Sequence, residues 1–136
     1  IRIAESMRLV RNKHRADGHI VLSTGVRDGK TWGKRADWCD YYGPVENQIV
    51  GIAVFDNPAN PRHPTWWHVR DYGLLAANPF GIHFFEKKPP GAGELNVPAG
   101  KSITFKYRVY LHKGDTESAN VAEKYREYAE GRRPSS

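Results

Sequence analysis

The chain has 136 residues, about the size of one domain, and its 39% hydrophobic, 26% charged and 12% aromatic residues exclude a disordered or collagen-like protein. The formal charge is +6, but the whole excess lies in residues 1–35, and residues 36–136 carry equal numbers of acidic and basic side chains. No aromatic residue interrupts the basic stretch Arg8–Arg15, so a stacking platform for nucleic acid is not supported there. We predict a solvated turn and no nucleic-acid partner.

The cysteine content and the apolar runs exclude two further classes. A single cysteine, Cys39, rules out an internal disulfide and a zinc site built from cysteines. The longest apolar run, Ile49–Phe55, is far shorter than the roughly 20 residues of a membrane-spanning helix, so no membrane partner is expected. The chain opens Ile1-Arg2-Ile3-Ala4 without a signal-peptide pattern. We expect one domain over residues 1–136, forming the C-terminal part of a longer polypeptide.

The N-terminal third is predicted to contain strands joined by turns. Weak alternation over Arg2–Val10 and an apolar run over His19–Thr24 predict a hairpin with a wide loop. Asp28-Gly29 is a strong turn signal. Arg35–Tyr42 then alternates as a strand, and the following Gly43-Pro44 is expected to end it.

In the middle of the chain, Ile49–Phe55 has bulky residues on both faces and is predicted to be a central strand. Three prolines make residues 57–64 a stiff exposed loop. Strand character returns over Trp66–Asp71, residues 73–79 are loop-like, and Ile82–Phe85 is predicted to be a short apolar strand.

Beyond a long Pro- and Gly-rich connection, Lys87–Gly100, the chain shows its clearest alternation in Lys101–His112. This pattern predicts a half-buried antiparallel strand. The side chains predicted to face inward are the apolar set Ile103, Phe105, Tyr107, Val109 and Leu111.

A helix is predicted from Asp115 or Thr116 to about Glu130, ended by Gly131 and followed by a frayed tail. Its apolar stripe is Val121, Tyr125 and Tyr128. About seven short strands, one terminal helix and no βαβ rhythm predict an all-β fold, an antiparallel β-sandwich with one C-terminal α-helix.

The segment Asp56–Asp71 is the most informative for function, because it holds two His, two Arg, two Asp and two Trp in sixteen residues. On a regular strand, Trp66, His68 and Arg70 share one face, and Trp67 lies on the other. We therefore expect one tryptophan to enter the core, while its neighbour joins an imidazole and a guanidinium on an accessible surface.

A flat aromatic ring beside directional hydrogen-bond donors suits a sugar ring or a similar polyol. His68, with a carboxylate at Asp71 or Asp56, is a candidate acid/base pair for catalysis. The alternative is that both tryptophans fill the core and the charges form salt bridges at its rim. The candidate ligand-binding residues are Asn60, His63, Trp66, Trp67, Arg70, Asn78 and His83.

Metal binding is the second alternative, since His63, His68 and His83 could converge on an ion. His63 and His68 are five residues apart, which places them on opposite faces of a regular strand. We therefore assign no metal and no cofactor.

Several motifs resemble the bacterial PmoA-like family, a family often labelled methane oxygenase PmoA. The resemblance covers nearly the whole chain, and its most specific part is Trp67-His68-Val69-Arg70-Asp71-Tyr72-Gly73. The other motifs are Trp32–Trp38, Gly51–Asp56 with Asn60–Pro64, Ala77–Gly81 and Pro98–Ser102.

The resemblance implies a β-supersandwich similar to galactose mutarotase-like proteins, of which this chain is the C-terminal half. It also implies export to the periplasm or medium of polysaccharide-degrading bacteria. Asn57 stands where the family pattern often has His. Three functions remain open: a carbohydrate-processing acid/base enzyme, a non-catalytic sugar-binding module, and the copper oxidoreductase of the family label.

Overall fold

The computed structural model describes residues 1–131, which form mainly antiparallel strands with one longer helix near the end. The strands are β1 Val10–Arg11, β2 His14–Arg15, β3 His19–Leu22, β4 Trp38–Val45, β5 Gln48–Asp56, β6 Trp67–Arg70, β7 Leu74–Ala77 and β8 Tyr107–Lys113. The helices are α1 Ile82–Phe85 and α2 Val121–Ala129, with single 3₁₀ turns at Glu5–Met7 and Asp28–Lys30. No helix within residues 1–131 has the length and apolar character needed to cross a bilayer.

The main sheet has the order β3-β4-β5-β8, and β6 and β7 form a separate two-stranded sheet. Strand β5 lies between β4 and β8, as predicted for a central strand. The prediction that Gly43-Pro44 ends β4 is wrong, because pairing continues to Val45 opposite Gln48. The two residues between them, Glu46 and Asn47, both have positive φ, which is the geometry of a tight hairpin turn.

One face of the main sheet packs against the small sheet to form the sandwich core. Tyr41 ties the two layers together, since its buried hydroxyl donates to the carbonyl oxygens of Arg70 at 3.1 Å and Asp71 at 3.0 Å. Cys39 is buried here as expected, and burial raises the pKa of its thiol well above the ordinary value. The core on this face includes Ile20, Leu22, Cys39, Tyr41, Val54, Trp67, Val69 and Leu75.

The opposite face of the main sheet is covered by α2. Val121 and Tyr125 are buried against Phe55, whose ring meets that of Tyr125 edge-on at 5.5 Å between centroids. The predicted helix and its apolar stripe are confirmed, although α2 begins at Val121. Gly131, at φ +73°, follows the helix end, and the predicted tail Arg132–Ser136 lies outside the described residues.

Strand β8 covers Tyr107–Lys113, so the first half of the predicted strand Lys101–His112 does not form, and the predicted orientation is inverted. Val109 and Leu111 are 51% and 70% exposed, whereas His112 is buried. The small sheet does not cover the edge strand, and the polar face of β8 is the one that turns toward α2. The polar face is buried because His112, which lies on it, contacts a partner on β4, a buried carboxylate.

That partner is Asp40, which is fully buried and accepts two hydrogen bonds. His112 Nε2 lies 2.7 Å from Asp40 Oδ1, and Thr116 Oγ1 donates to Oδ2 at 2.6 Å. The imidazole reaches across β5 above Gly51, where an added Cβ would come within 2.3 Å of the ring. The carboxylate therefore joins β4, β8 and the turn before α2.

Three other local predictions are wrong. Residues 2–9 contain a 3₁₀ turn in place of a strand, and β3 pairs with β4, so the predicted hairpin with His19–Thr24 does not form. Residues 73–79 contain β7, and Ile82–Phe85 is helical. Apolar runs of four residues fit either a strand or a buried helical turn, so their period does not decide between them.

The Asp40–His112 pair makes stability depend on pH. Burial by itself lowers the pKa of His112. Three effects outweigh burial and raise this pKa above the usual value: the hydrogen bond to Asp40, the negative charge of Asp40, and hydrogen bonds to two backbone groups. This contribution to the free energy of unfolding is therefore complete below about pH 6.5 and is lost as the pH rises through the higher folded-state pKa. We expect His112→Gln, which keeps a donor but does not titrate, to flatten the dependence in urea unfolding. Equal slopes against pH for the two proteins would contradict this prediction.

Candidate functional site

Strand β6 divides its side chains between the core and the surface as the sequence predicted. Trp67 and Val69 are buried, His68 is half-buried and Arg70 is exposed. Pairing of β6 with β7 holds this arrangement, with Trp67 opposite Ala77 and Arg70 opposite Leu74.

The expected split between the two tryptophans is wrong, because both are interior. Trp66 is 4% exposed, and its indole N–H donates to Glu86 Oε1 at 2.9 Å under the guanidinium of Arg35. The indole N–H of Trp67 donates to the carbonyl oxygen of Ala36 at 2.9 Å. Trp66 precedes the strand, so the alternation of β6 does not fix its direction.

Trp32 occupies the surface position expected for Trp66. Its indole is 37% exposed and lies 6.2 Å from the ring of His68 and 5.1 Å from that of Phe85, both in edge-on contact. The guanidinium carbon of Arg70 is 5.5 Å from the Trp32 ring centre and 5.9 Å from that of Tyr72. The predicted combination of aromatic ring, imidazole and guanidinium is therefore present, with a tryptophan from a different part of the chain.

Trp32, Arg70 and Tyr72 border a concavity of about 240 Å³, here called the Trp32 hollow, whereas His68 and Phe85 are not among its lining residues. Its volume is below the roughly 300–1,000 Å³ of pockets for drug-sized ligands and suits a single small ring. Among its lining residues are Asp28, Thr31, Trp32, Arg70, Asp71 and Tyr72.

Two carboxylates of the Trp32 hollow differ in their surroundings. Asp28 is held in place, because its Oδ1 accepts from the backbone N–H of Ile20 at 2.9 Å and its Oδ2 lies 3.3 Å from His19 Nδ1. Within residues 1–131, the side chains of Arg70 and Asp71 have no hydrogen-bonding or ion-pairing partner. The hollow thus offers a free donor group and a free acceptor group beside an aromatic surface.

The candidate residues Asn60 and His63 belong to a different cluster, built around Asp56. His63 Nδ1 lies 2.7 Å from Asp56 Oδ2, and His63 Nε2 lies 3.2 Å from Asp37 Oδ1. Asp56 is 1% exposed and also accepts from the Asn60 amide at 2.8 Å and from the backbone N–H of Thr65 at 3.0 Å. These polar atoms fasten the proline loop to the end of β5.

Asn78 and His83 also lie outside the Trp32 hollow. Asn78 Oδ1 accepts from the backbone N–H of Phe80 at 3.0 Å, and His83 packs against Phe84 and contacts the carbonyl oxygen of Lys88. His63, His68 and His83 therefore have separate surroundings. In the described part of the chain, no group of three or more His, Cys, Asp or Glu side chains is placed to hold a metal ion.

The proposed pairing of His68 with a carboxylate is not seen in this conformation. Within residues 1–131, its ring nitrogens have no acidic oxygen within 4.0 Å, and its ring contacts are Trp32 and Phe85. Asp71, the other candidate catalytic residue, does line the Trp32 hollow. Asp28 and Trp32 were missed by sequence reasoning, although the Asp28-Gly29 turn and the motif beginning at Trp32 marked the segment.

Fold and site define an antiparallel β-sandwich protein with an aromatic-walled surface hollow. The chain belongs to DUF6807, a family of unknown function, whose profile matches residues 1–126. Comparison with curated proteins gave no match, and comparison with solved structures gave none.

Removing the Asp56 carboxylate tests whether its cluster is structural. We expect Asp56→Ala to lower the free energy of unfolding by about 3 kcal/mol or more, because it leaves three donors without their acceptor. Asp71→Ala, at an exposed and unpartnered carboxylate, serves as the control and is expected to change stability by less than about 0.5 kcal/mol. Similar losses for both variants in urea unfolding would show that the Asp56 cluster does not stabilise the loop.

Proposed function

We propose that this protein recognises a carbohydrate, or a similar polyol, at the Trp32 hollow. The observation that carries the proposal is the grouping of an exposed indole with a guanidinium and a carboxylate that have no hydrogen-bonding or ion-pairing partner within residues 1–131. The proposal keeps the ligand class expected from the sequence and moves its aromatic contact from Trp66 or Trp67 to Trp32.

The chemistry of the hollow matches that of a sugar ring. One side of a pyranose carries C–H groups that pack on an aromatic face, while its hydroxyls both donate and accept hydrogen bonds. Arg70 supplies donors in a fixed fork, and Asp71 supplies acceptors. A neutral polyol can use both groups at once, whereas a purely apolar ligand would leave them desolvated and unpaired.

The family resemblance supports the same ligand class. The motif beginning at Trp32 and the motif Trp67–Gly73 lie far apart in the chain, and residues from both line the Trp32 hollow. The PmoA-like resemblance implies a galactose mutarotase-like supersandwich, and that fold leads us to expect a sugar as the ligand. Fold resemblance alone does not determine function, so the residues of the Trp32 hollow are the main support for the proposed ligand class.

Carbohydrate processing is a second candidate, favoured by one observation. Asp28 and Asp71 both line the Trp32 hollow. Most enzymes that cleave a glycosidic bond use two carboxylates beside the bound sugar, as acid and base or as acid and nucleophile. In this reading Asp71 keeps the catalytic role expected from the sequence, and Asp28 takes the place expected for His68.

Loss of the indole tests recognition directly. We expect Trp32→Ala to weaken binding of the best ligand from a panel of gluco-, xylo- and manno-oligosaccharides at least tenfold, which is about 1.4 kcal/mol, measured by calorimetry. Arg70→Ala is expected to weaken the same ligand, because it removes the free donors. Tyr107→Ala removes a ring of similar exposure outside the hollow and is the matched control.

Circular dichroism and thermal unfolding establish that each variant is folded. A folded Trp32→Ala protein that binds as tightly as the wild type would contradict the proposal, as would an equal loss in Tyr107→Ala.

Turnover of the bound saccharide distinguishes processing from recognition. We expect Asp71→Asn to abolish product formation while the ligand still binds, because the amide cannot exchange the proton. Asp17→Asn, at an exposed carboxylate outside the hollow, is the control. Chromatography of the reaction products measures both; a wild-type protein that binds its ligand but forms no product would contradict processing and leave recognition intact.

A further inference from the structure

A second concavity lies beside α1. It has a volume of about 560 Å³ and is here called the Phe84 groove. The ring of Phe84 is 72% exposed, and Phe80 and Leu95 beside it in the groove are 47% and 37% exposed, so the groove presents several apolar side chains to solvent. Its lining includes Phe80, His83, Phe84, Glu94, Leu95 and Asn96.

Arg62 builds this groove by fastening the irregular 91–96 segment. Its guanidinium donates to the carbonyl oxygens of Pro79 at 3.0 Å and Glu94 at 2.8 Å, contacts that of Gly93, and lies 5.9 Å from the ring centre of Phe80. At Gly93, an added Cβ would come within 2.5 Å of the Phe80 carbonyl oxygen. The groove is therefore a defined shape, and not a gap beside a loose loop.

Helix α1 lines the Phe84 groove and contacts Trp32, a residue of the hollow. Phe85 packs edge-on against Trp32, and its ring fits so closely between Gly33 and Gly81 that a Cβ there would approach it to 2.9 and 2.2 Å. Phe84, the next residue, belongs to the groove. Adjacent residues of α1 thus contact Trp32 of the hollow and line the groove, so the two concavities lie near each other on the same part of the molecule.

We propose that the Trp32 hollow and the Phe84 groove are two subsites for one neutral oligosaccharide chain. This inference rests on the proposed function and names the ligand class of that same site. Phe84 offers an aromatic surface for a second sugar unit, and His83 and Asn96 offer polar atoms to its hydroxyls. Glu94 at the groove disfavours an acidic chain, because like charges would repel.

The dependence of affinity on chain length tests the inference. Gluco-, xylo- and manno-oligosaccharides, from the monosaccharide to the tetrasaccharide, are titrated into the wild type, Phe84→Ala and Tyr107→Ala. We expect wild-type affinity to rise with length. Phe84→Ala should lose at least fivefold for the longer chains while binding the monosaccharide normally, and Tyr107→Ala should match the wild type.

Arg62→Ala provides an independent variant, because it releases the 91–96 segment without touching Phe84. A folded Arg62→Ala protein is expected to show the same length-selective loss. Wild-type affinity that is independent of length, or an unchanged profile in folded Phe84→Ala, overturns the two-subsite inference and leaves monosaccharide recognition standing. Absence of binding for every length overturns the proposed function itself, and the inference with it.

Discussion

The candidate site depends on the pairing of residues 33–36 with residues 65–67. The Gly33 N–H donates to the carbonyl oxygen of Trp67 at 2.8 Å, the Trp67 N–H donates to that of Lys34 at 2.9 Å, and the Ala36 N–H donates to that of Thr65 at 3.2 Å. The indole of Trp67 adds a fourth bond from the core. Together these bonds place Trp32 beside β6, and without them its indole would not meet Arg70.

Sequence patterns correctly predicted the elements in which each face has the same surroundings, either core or solvent, from one end to the other. The central strand β5, the surface and core faces of β6, and the helix α2 all follow a simple period, because each packs against continuous layers. Turn chemistry also located the proline loop. The charged and aromatic residues concentrated in Asp56–Asp71 were expected to form one functional surface. In the structure they divide between the Asp56 cluster and the Trp32 hollow.

The errors arise where a long-range contact overrides the local pattern. The apolar face of β8 was expected inside, but Asp40 on another strand draws His112 to the buried side and leaves Leu111 in solvent. Trp66 was expected on the surface from the alternation of a strand over Trp66–Asp71, but the strand begins at Trp67, so its alternation does not apply to Trp66. Trp32 could not be predicted as a site residue, because its neighbours come from a segment more than thirty positions away, and spacing carries no information about that pairing.

The polar groups discussed above divide into those that hold the fold and those that have no hydrogen-bonding or ion-pairing partner within residues 1–131. Asp40 and Asp56 are buried with every carboxylate oxygen in a hydrogen bond, so each would be costly to disturb. The Arg70 guanidinium, by contrast, has no hydrogen-bonding or ion-pairing partner within residues 1–131 and lies near the rings of Trp32 and Tyr72. Contact with two rings restricts its side chain, which under the proposed function reduces the entropy lost on binding. In the described part of the chain, Arg35, Arg62 and Arg108 each lie over one ring. Arg70 lies near two rings that both border the hollow, and this double contact, more than the presence of a charge, distinguishes the Trp32 hollow from the remaining basic surface.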